Sequence, residues 1–372
     1  MIIAWNYWVP TLLYSPIAKA YGSGLPDFHI FYSSGLSWLS HTKPTNFIYP
    51  PTSLPFYGFF ALFNFDLAGW LWLVTYLIIF LAAMIALALS LDRVRKAYFV
   101  SLTGILFFTS YALLLEINLG QVDLLVASLS ILSLAMQRLK HDNTSAFFLS
   151  CATLLKGPPF LLLIYFVLYR RDLRYILRFV LVSLVTVAAS LLVVPWQLYA
   201  RYFRILLYLP PSGMGMSQSL LNYTSAAYSL VVAIVGVLLF SIFAFRVASR
   251  KYSGTGIDSL RDDGMFLLNV LFLLLFSPRI WPATYVWIIL PAALFLSNLL
   301  REKVRSLYLF AAYLDTFLLN ANPSQVFLRF SEAWSFLPVA LFGNIMLAVI
   351  LVLTVLRPSV AYTGEAINRT ST

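Results

Sequence analysis

Charge is what this 372-residue chain has least of: Asp, Glu, Lys and Arg together make up 10% of it, against roughly 25% in a typical soluble domain. With 61% hydrophobic residues and a mean hydropathy of +0.86, that scarcity excludes a soluble globular protein. Cysteine occurs once, at Cys151, so no internal disulfide can form. The three histidines, His29, His41 and His141, show no metal-ligand spacing. There is no Asp-x-Asp pair to grip a nucleotide-bound metal, no G-x-S-x-G and no glycine-rich phosphate cradle. The first apolar stretch lacks a basic n-region and a small-residue cleavage site, so it reads as a retained helix. Basic residues are in excess, with a net charge of +11. They sit in short clusters between apolar runs, as in cytoplasmic loops, and this argues against a nucleic-acid partner.

What is present is a series of long apolar runs. A helix needs about 20 apolar residues to cross a bilayer. The pattern predicts spans near 2–20, 67–91, 97–115, 121–137, 176–195, 226–247, 263–277, 283–300, 305–320 and 333–356. The segment 145–170 is apolar on both sides of Lys156-Gly157-Pro158-Pro159. Proline removes backbone donors and breaks helix geometry, so this segment reads as a short broken hairpin with Lys156 at its tip. The expectation is an all-α polytopic membrane protein, one domain over 1–372, with about twelve helices.

Orientation follows from the basic clusters. With both termini cytoplasmic, Arg93, Arg95 and Lys96, then Arg170, Arg171, Arg174 and Arg178, then Arg246, Arg250 and Lys251 all fall inside, as do most of the other lysines and arginines. The long loops, about 21–66 and 196–225, then lie outside, and 357–372 is a cytoplasmic tail. The expected location is a multi-pass protein of the cell membrane, with any chemistry on the outer face.

Polar residues that interrupt apolar runs are the candidate site, because an ionisable group beside lipid is costly unless it has a partner or a role. Asp27, in Pro26-Asp27-Phe28-His29, can accept a proton from a hydroxyl nucleophile or simply cap a helix. The nearby Phe28, Phe31, Tyr32 and Tyr49 fit a sugar-stacking wall or an interfacial aromatic belt. Lys156 can meet a lipid-linked phosphate or snorkel to headgroups. Glu116, Asn118, Gln121 and Asp123 suggest a shared polar site, or helix capping together with interhelical hydrogen bonds. Arg279, in Ser277-Pro278-Arg279-Ile280-Trp281-Pro282, can grip the donor phosphate bidentately, pair with Asp27 or Asp123, or simply meet lipid phosphates. Arg201 and Arg204 share a helix face if their stretch is helical, and fit a lipid anchor equally well.

In order, these motifs resemble glycosyltransferase family 87 from about residue 20 to 300. They are an outer-loop Asp27 before Tyr49-Pro50-Pro51; Gly120-Gln121-Val122-Asp123, with Asp123 where Asn is usual; Lys156-Gly157-Pro158, with an inserted glycine; Ser217-Gln218-Ser219-Leu220; and Ser277-Pro278-Arg279-Ile280-Trp281. The resemblance implies a GT-C-like bundle that moves a hexose, mannose by analogy, from a polyprenyl-phosphate donor to a glycan or glycolipid acceptor hydroxyl by an inverting displacement. It implies Asp27 as the base and Lys156, Arg279, Arg204 and Arg201 around the donor phosphate. His29, Tyr32, Tyr49, Gln121, Asp123, Gln218 and Trp281 would line the substrates, with no metal or other cofactor. Family members often carry histidines just after the tryptophan, where this chain has Pro282-Ala283-Thr284-Tyr285. That departure keeps an inactive relative of the same fold open, and Asp315, part-way along a span, keeps a secondary transporter or lipid-saccharide flippase open.

Overall fold

The structure is a computed structural model whose described residues are 25–44, 47–208, 226–249, 255–277, 282–302 and 339–356. Among these the chain forms helices, breaks and turns, with no strand. Helix α1 (Pro26–Leu39) precedes a 3-10 turn at Pro51–Ser53 and the short α2 (Leu54–Phe60). There follow α3 (Phe65–Leu89), α4 (Arg93–Thr109), α5 (Tyr111–Leu119), α6 (Asp123–Arg138) and α7 (Asp142–Leu155). Beyond a broken stretch lie α8 (Leu173–Leu191), α9 (Trp196–Tyr208), α10 (Ala226–Ser249), α11 (Thr255–Phe276), α12 (Ile289–Arg301) and α13 (Val339–Leu356).

Polar residues punctuate the apolar runs and set where helices begin. Asn64 accepts from the Leu67 amide (2.9 Å) to open α3, and Asp92 from the Arg95 amide (3.0 Å) to open α4. Asp172 accepts from the amides of Arg174 and Tyr175 to open α8. Each satisfies backbone donors that the first helical turn leaves unpaired.

The chain is an all-α polytopic membrane protein. Four helical stretches among the described residues are long and apolar enough to cross a membrane: Phe65–Leu89, Leu173–Leu191, Val231–Ser249 and Ala283–Arg301. Two of them, Leu173–Leu191 and Val231–Ser249, turn most of their surface outward, whereas Ala283–Arg301 is 94% buried. At the centre, α6 has 16 residues and is buried along almost its whole length, packed between α3 and α7.

The interior accounts for the departures from a count of full-length spans. The predicted span 97–115 bends by 61° around Ser110, which takes an extended backbone and accepts from the Leu113 amide. The predicted span 283–300 begins as a 3-10 helix, Pro282–Ile288, and becomes α-helical only from Ile289. Irregular backbone at membrane depth is tolerable when protein rather than lipid surrounds it. The hairpin is broken as expected: α7 stops at Leu155, and 3-10 and π turns, Pro158–Leu162 and Ile164–Tyr169, carry the chain on. The predicted spans 2–20 and 305–320 lie outside the described residues.

One glycine controls how closely α1 approaches the bundle. Gly120 ends α5 with φ +66° and donates to the Glu116 carbonyl (2.9 Å). A Cβ at this position would stand 2.7 Å from Cβ of Phe28 and 3.1 Å from Cβ of Leu25. Its carbonyl also accepts from the Trp72 indole (3.0 Å), and Phe28 stacks on that indole at 5.3 Å. Phe28 and Phe31 are 0% and 1% exposed, so they are core, neither a sugar wall nor an interfacial belt. Gly120→Ala should therefore lower stability by about 1–3 kcal/mol, since it adds left-handed strain to overpacking. A thermal melt in detergent unchanged from wild type would contradict this account of the α1 contact.

Candidate active site

At the start of α6 the bundle gathers three carboxylates and a lysine. Asp27 sits in the first turn of α1, yet it caps nothing: Leu25, in a left-handed conformation, holds the cap position and makes no side-chain cap bond. Instead, Oδ2 of Asp27 accepts from Nε2 of Gln121. The N-cap reading of Asp27 gives way to a contact between segments 94 residues apart in sequence.

Asp123 lies two residues beyond Gln121 and is 1% exposed. Both of its oxygens accept from Lys156 Nζ at 2.6 Å. Oδ1 also accepts from the Trp287 indole (3.0 Å), and Oδ2 from the Thr284 hydroxyl (3.3 Å). A buried carboxylate is tolerable when paired and hydrogen-bonded on all sides. Neither sequence reading of Lys156 named this partner. The ammonium is held by a carboxylate across the α6–α7 contact and does not snorkel alone.

Glu116, on α5, is fully buried. Its Oε1 accepts from the Leu124 amide (2.8 Å), while Oε2 has no hydrogen-bond partner. Oε1 of Gln121 is likewise buried and unpartnered. Asp27, Glu116, Asp123 and Lys156 all lie within electrostatic reach of one another. Burial pushes the Asp27 carboxyl above its usual range, and Asp123 pushes it further, against the opposing Gln121 hydrogen bond and the Lys156 charge. A carboxylate raised this way is a better proton acceptor than an exposed one.

The break after α7 is tied to its surroundings. Thr52 donates to the Leu154 carbonyl (2.8 Å), one of the last carbonyls of α7. The Tyr202 hydroxyl of α9 lies beside Gly157, 3.3 Å from where a Cβ would be. On the same helix, Arg201 donates to the Pro44 carbonyl (2.9 Å). Arg201 and Tyr202 line a small cleft with Pro44, Phe47, Tyr49 and Pro51. Arg204 is exposed on the same helix. Trp38 of α1 donates to the Val193 carbonyl just ahead of α9 (3.0 Å), so α1, α9 and the α7 break form one mouth.

The structure thus brings together Asp27, Gln121, Asp123 and Lys156, with Arg201 and Tyr49 at the edge. Tyr49 packs edge-on against Phe31 at 5.0 Å. His29 is exposed and packs on Phe65, and the Tyr32 hydroxyl donates to the Phe63 carbonyl (2.8 Å). Neither has a hydrogen bond to the carboxylate cluster among the described residues. Arg279, Trp281 and Gln218 lie outside the described residues. Sequence reasoning missed Trp287 and Thr284. Thr284 stands in Pro282-Ala283-Thr284-Tyr285, and only folding shows that it reaches Asp123. Glu116 had left a trace, as the one acid of an apolar run.

The model of glycosyltransferase family 87 matches residues 47–278. The chain belongs to glycosyltransferase family 87. No curated protein matches it. As a family member it is a membrane glycosyltransferase, with a sugar donor and an acceptor as substrates. The matched region includes Gln121, Asp123, Lys156 and Arg201 but not Asp27. The fold joins Asp27 to the matched region through Gln121.

Removing one partner of a buried ion pair leaves an uncompensated charge and costs about 3–5 kcal/mol. Asp123→Ala should destabilise the protein by that order, and adding Lys156→Met should restore most of the loss. A double variant as unstable as the sum of its singles would show that the pair does not couple α6 to the hairpin.

Proposed function

We propose that this glycosyltransferase moves a hexose, with mannose favoured by the family resemblance, from a polyprenyl phosphate to an acceptor hydroxyl on the extracytoplasmic face. The observation that carries the reading is the Gln121 contact, which holds a desolvated Asp27 beside the Lys156–Asp123 pair. In the reaction Asp27 takes the proton of the acceptor hydroxyl as its oxygen attacks C1 of the sugar. The bond from C1 to the phosphate oxygen breaks, C1 inverts, and polyprenyl phosphate leaves with the electron pair.

The leaving phosphate needs cations. Lys156 keeps 16% of its side chain exposed while paired to Asp123, and Arg201 and Arg204 flank the mouth on α9. Preorganised donors of this kind are each worth about 2.7–4 kcal/mol in comparable sites. Helix α9 is amphipathic and exposes Trp196 and Phe203, which fits a helix lying in the bilayer interface. Such a helix lets the donor's tail remain in lipid while its headgroup reaches the cluster. Arg279, Gln218 and Trp281 are assigned to the same donor and acceptor contacts by the family resemblance. The proposed orientation puts both termini in the cytoplasm and the Asp27 end outside, within a GT-C-type fold.

Ionisable groups gather at the two ends of the bundle among the described residues. Asp27, Glu116, Asp123 and Lys156 lie at one, and Arg95, Arg138, Asp262 and Asp263 at the other. Asp315, the residue that fits a transporter best, lies outside the described residues; among those described, the distribution favours transfer at one face over carriage through the midplane.

The test is transfer from radiolabelled polyprenyl-phosphate mannose to glycolipid, polysaccharide and glycopeptide acceptors. Asp27→Asn should lower turnover by about 10²–10⁴-fold while donor binding persists; full turnover would remove Asp27 from the reaction. The pH profile gives a second check. A protonated Asp27 cannot accept a proton, so kcat/KM should fall as pH drops through its pKa, with the acid limb above the ordinary aspartate range. A limb at or below that range would contradict the desolvated-base reading.

A further inference from the structure

The far end of the bundle holds a cavity that the transfer reaction does not use. It is an open cavity of about 610 Å³ among the turn after α6, the start of α8, the last turn of α10 and the first turns of α11. Helix α6 runs from Asp123 to Arg138, so at 1.5 Å per residue the cavity lies about 22 Å from the carboxylate cluster.

Its charges are unevenly matched. Asp262 accepts from Arg138 (2.8 Å), Arg170 (3.1 Å) and the Tyr165 hydroxyl (2.7 Å). Asp263 is held by Arg138 (2.5 Å) and Arg95. Arg178 lies between Asp142 (3.1 Å) and Asp172 (3.3 Å). Every one of these acids therefore has a basic partner. Lys140 lines the same cavity, is exposed, and has no ion pair among the described residues. Gln137 also lines it, is 8% exposed, and its Oε1 takes no hydrogen bond.

Three cations, Lys140, Arg170 and Arg261, face three carboxylates, Asp142, Asp172 and Asp262, in this lining; because Arg178 and Arg138 behind it also pair with those acids, positive charge is in excess beside the hydrogen-bond acceptors. Lys140 and the outer face of Arg170 suit a phosphate. Asp142, Asp172 and the Gln137 amide suit hydroxyl groups beside it. One wall is Val247 and Ala248, in the final turn of α10, whose span turns mostly outward. That wall sets the cavity at the headgroup level of one leaflet, where basic pockets between helices take anionic headgroups.

We infer that this cavity binds a hydroxylated phosphate, and that its source is the headgroup of an anionic lipid such as phosphatidylglycerol. The site is independent of the transfer reaction and of the identity of its donor. It would anchor the α6–α7 turn, α8 and α10 to one leaflet.

The test uses the purified full chain in detergent, with lipid binding read by native mass spectrometry and by thermal shift. The probes are phosphatidylglycerol, phosphatidylcholine and soluble glycerol phosphate. Lys140 has φ 64°, a conformation that asparagine tolerates, so Lys140→Asn removes the charge with the turn intact. Arg170→Gln is the second variant, because Asp262 keeps Arg138 and Tyr165. Phosphatidylglycerol should bind more tightly than phosphatidylcholine, and each variant should weaken it about tenfold. Protection by glycerol phosphate alone, lost in both variants, would keep the phosphate chemistry and discard the lipid as its source. Equal binding of both lipids, or no response to either variant, would overturn the site.

Discussion

The buried pair between Asp123 and Lys156 is the constraint on which the rest of the site depends. A carboxylate that is 1% exposed is tolerable only where its surroundings supply donors, and this one has four hydrogen bonds from three residues. Those residues come from the α7 break and from the 3-10 turn ahead of α12. Satisfying Asp123 therefore fixes three chain segments at once. With α6 so anchored, Gln121 two residues earlier is held where its amide meets Asp27, and Gly120 lets α1 come close enough for the meeting. The pair also tempers the cluster's charge. Without Lys156, three carboxylates would share a desolvated corner with no cation among them.

The breaks in the fold serve this arrangement. The bend at Ser110, the stop at Leu155 and the 3-10 turn at Pro282–Ile288 all fall beside the cluster or support it. Continuous helices would leave no gap for side chains to converge. The outward helices α8 and α10 are long and regular because lipid leaves their backbone no other option. Irregularity thus gathers in the interior, where protein groups can satisfy the freed backbone, as Thr52 does for Leu154.

How much of this was legible follows the energetics of single residues. Asp27, Glu116, Asp123 and Lys156 each interrupt an apolar run, and each interruption is visible without a fold because its cost is local. The proline pair after Lys156 announced the hairpin for the same reason. Partner choice was not legible. Lys156 had a phosphate or the headgroups as its expected company, and the packing of α6 on α7 gave it Asp123. Trp287 looks like any apolar residue of its run until the 3-10 turn aims its indole at a carboxylate. Ser110 gave no sign of a bend, because no proline or glycine marks it. Phe28 and Phe31 carry the composition of a belt or a binding wall, but they became core when α1 folded onto Trp72 and Tyr57.

The central claim is spatial: a lipid phosphate and its sugar sit at the mouth formed by α1, α9 and the α7 break. A structure of the protein with an intact polyprenyl-phosphate sugar tests it most directly. The account expects the phosphate within about 4 Å of Lys156 or Arg201, with C1 of the sugar facing Asp27. A donor seated elsewhere, with Asp27 turned away from its anomeric carbon, would contradict it.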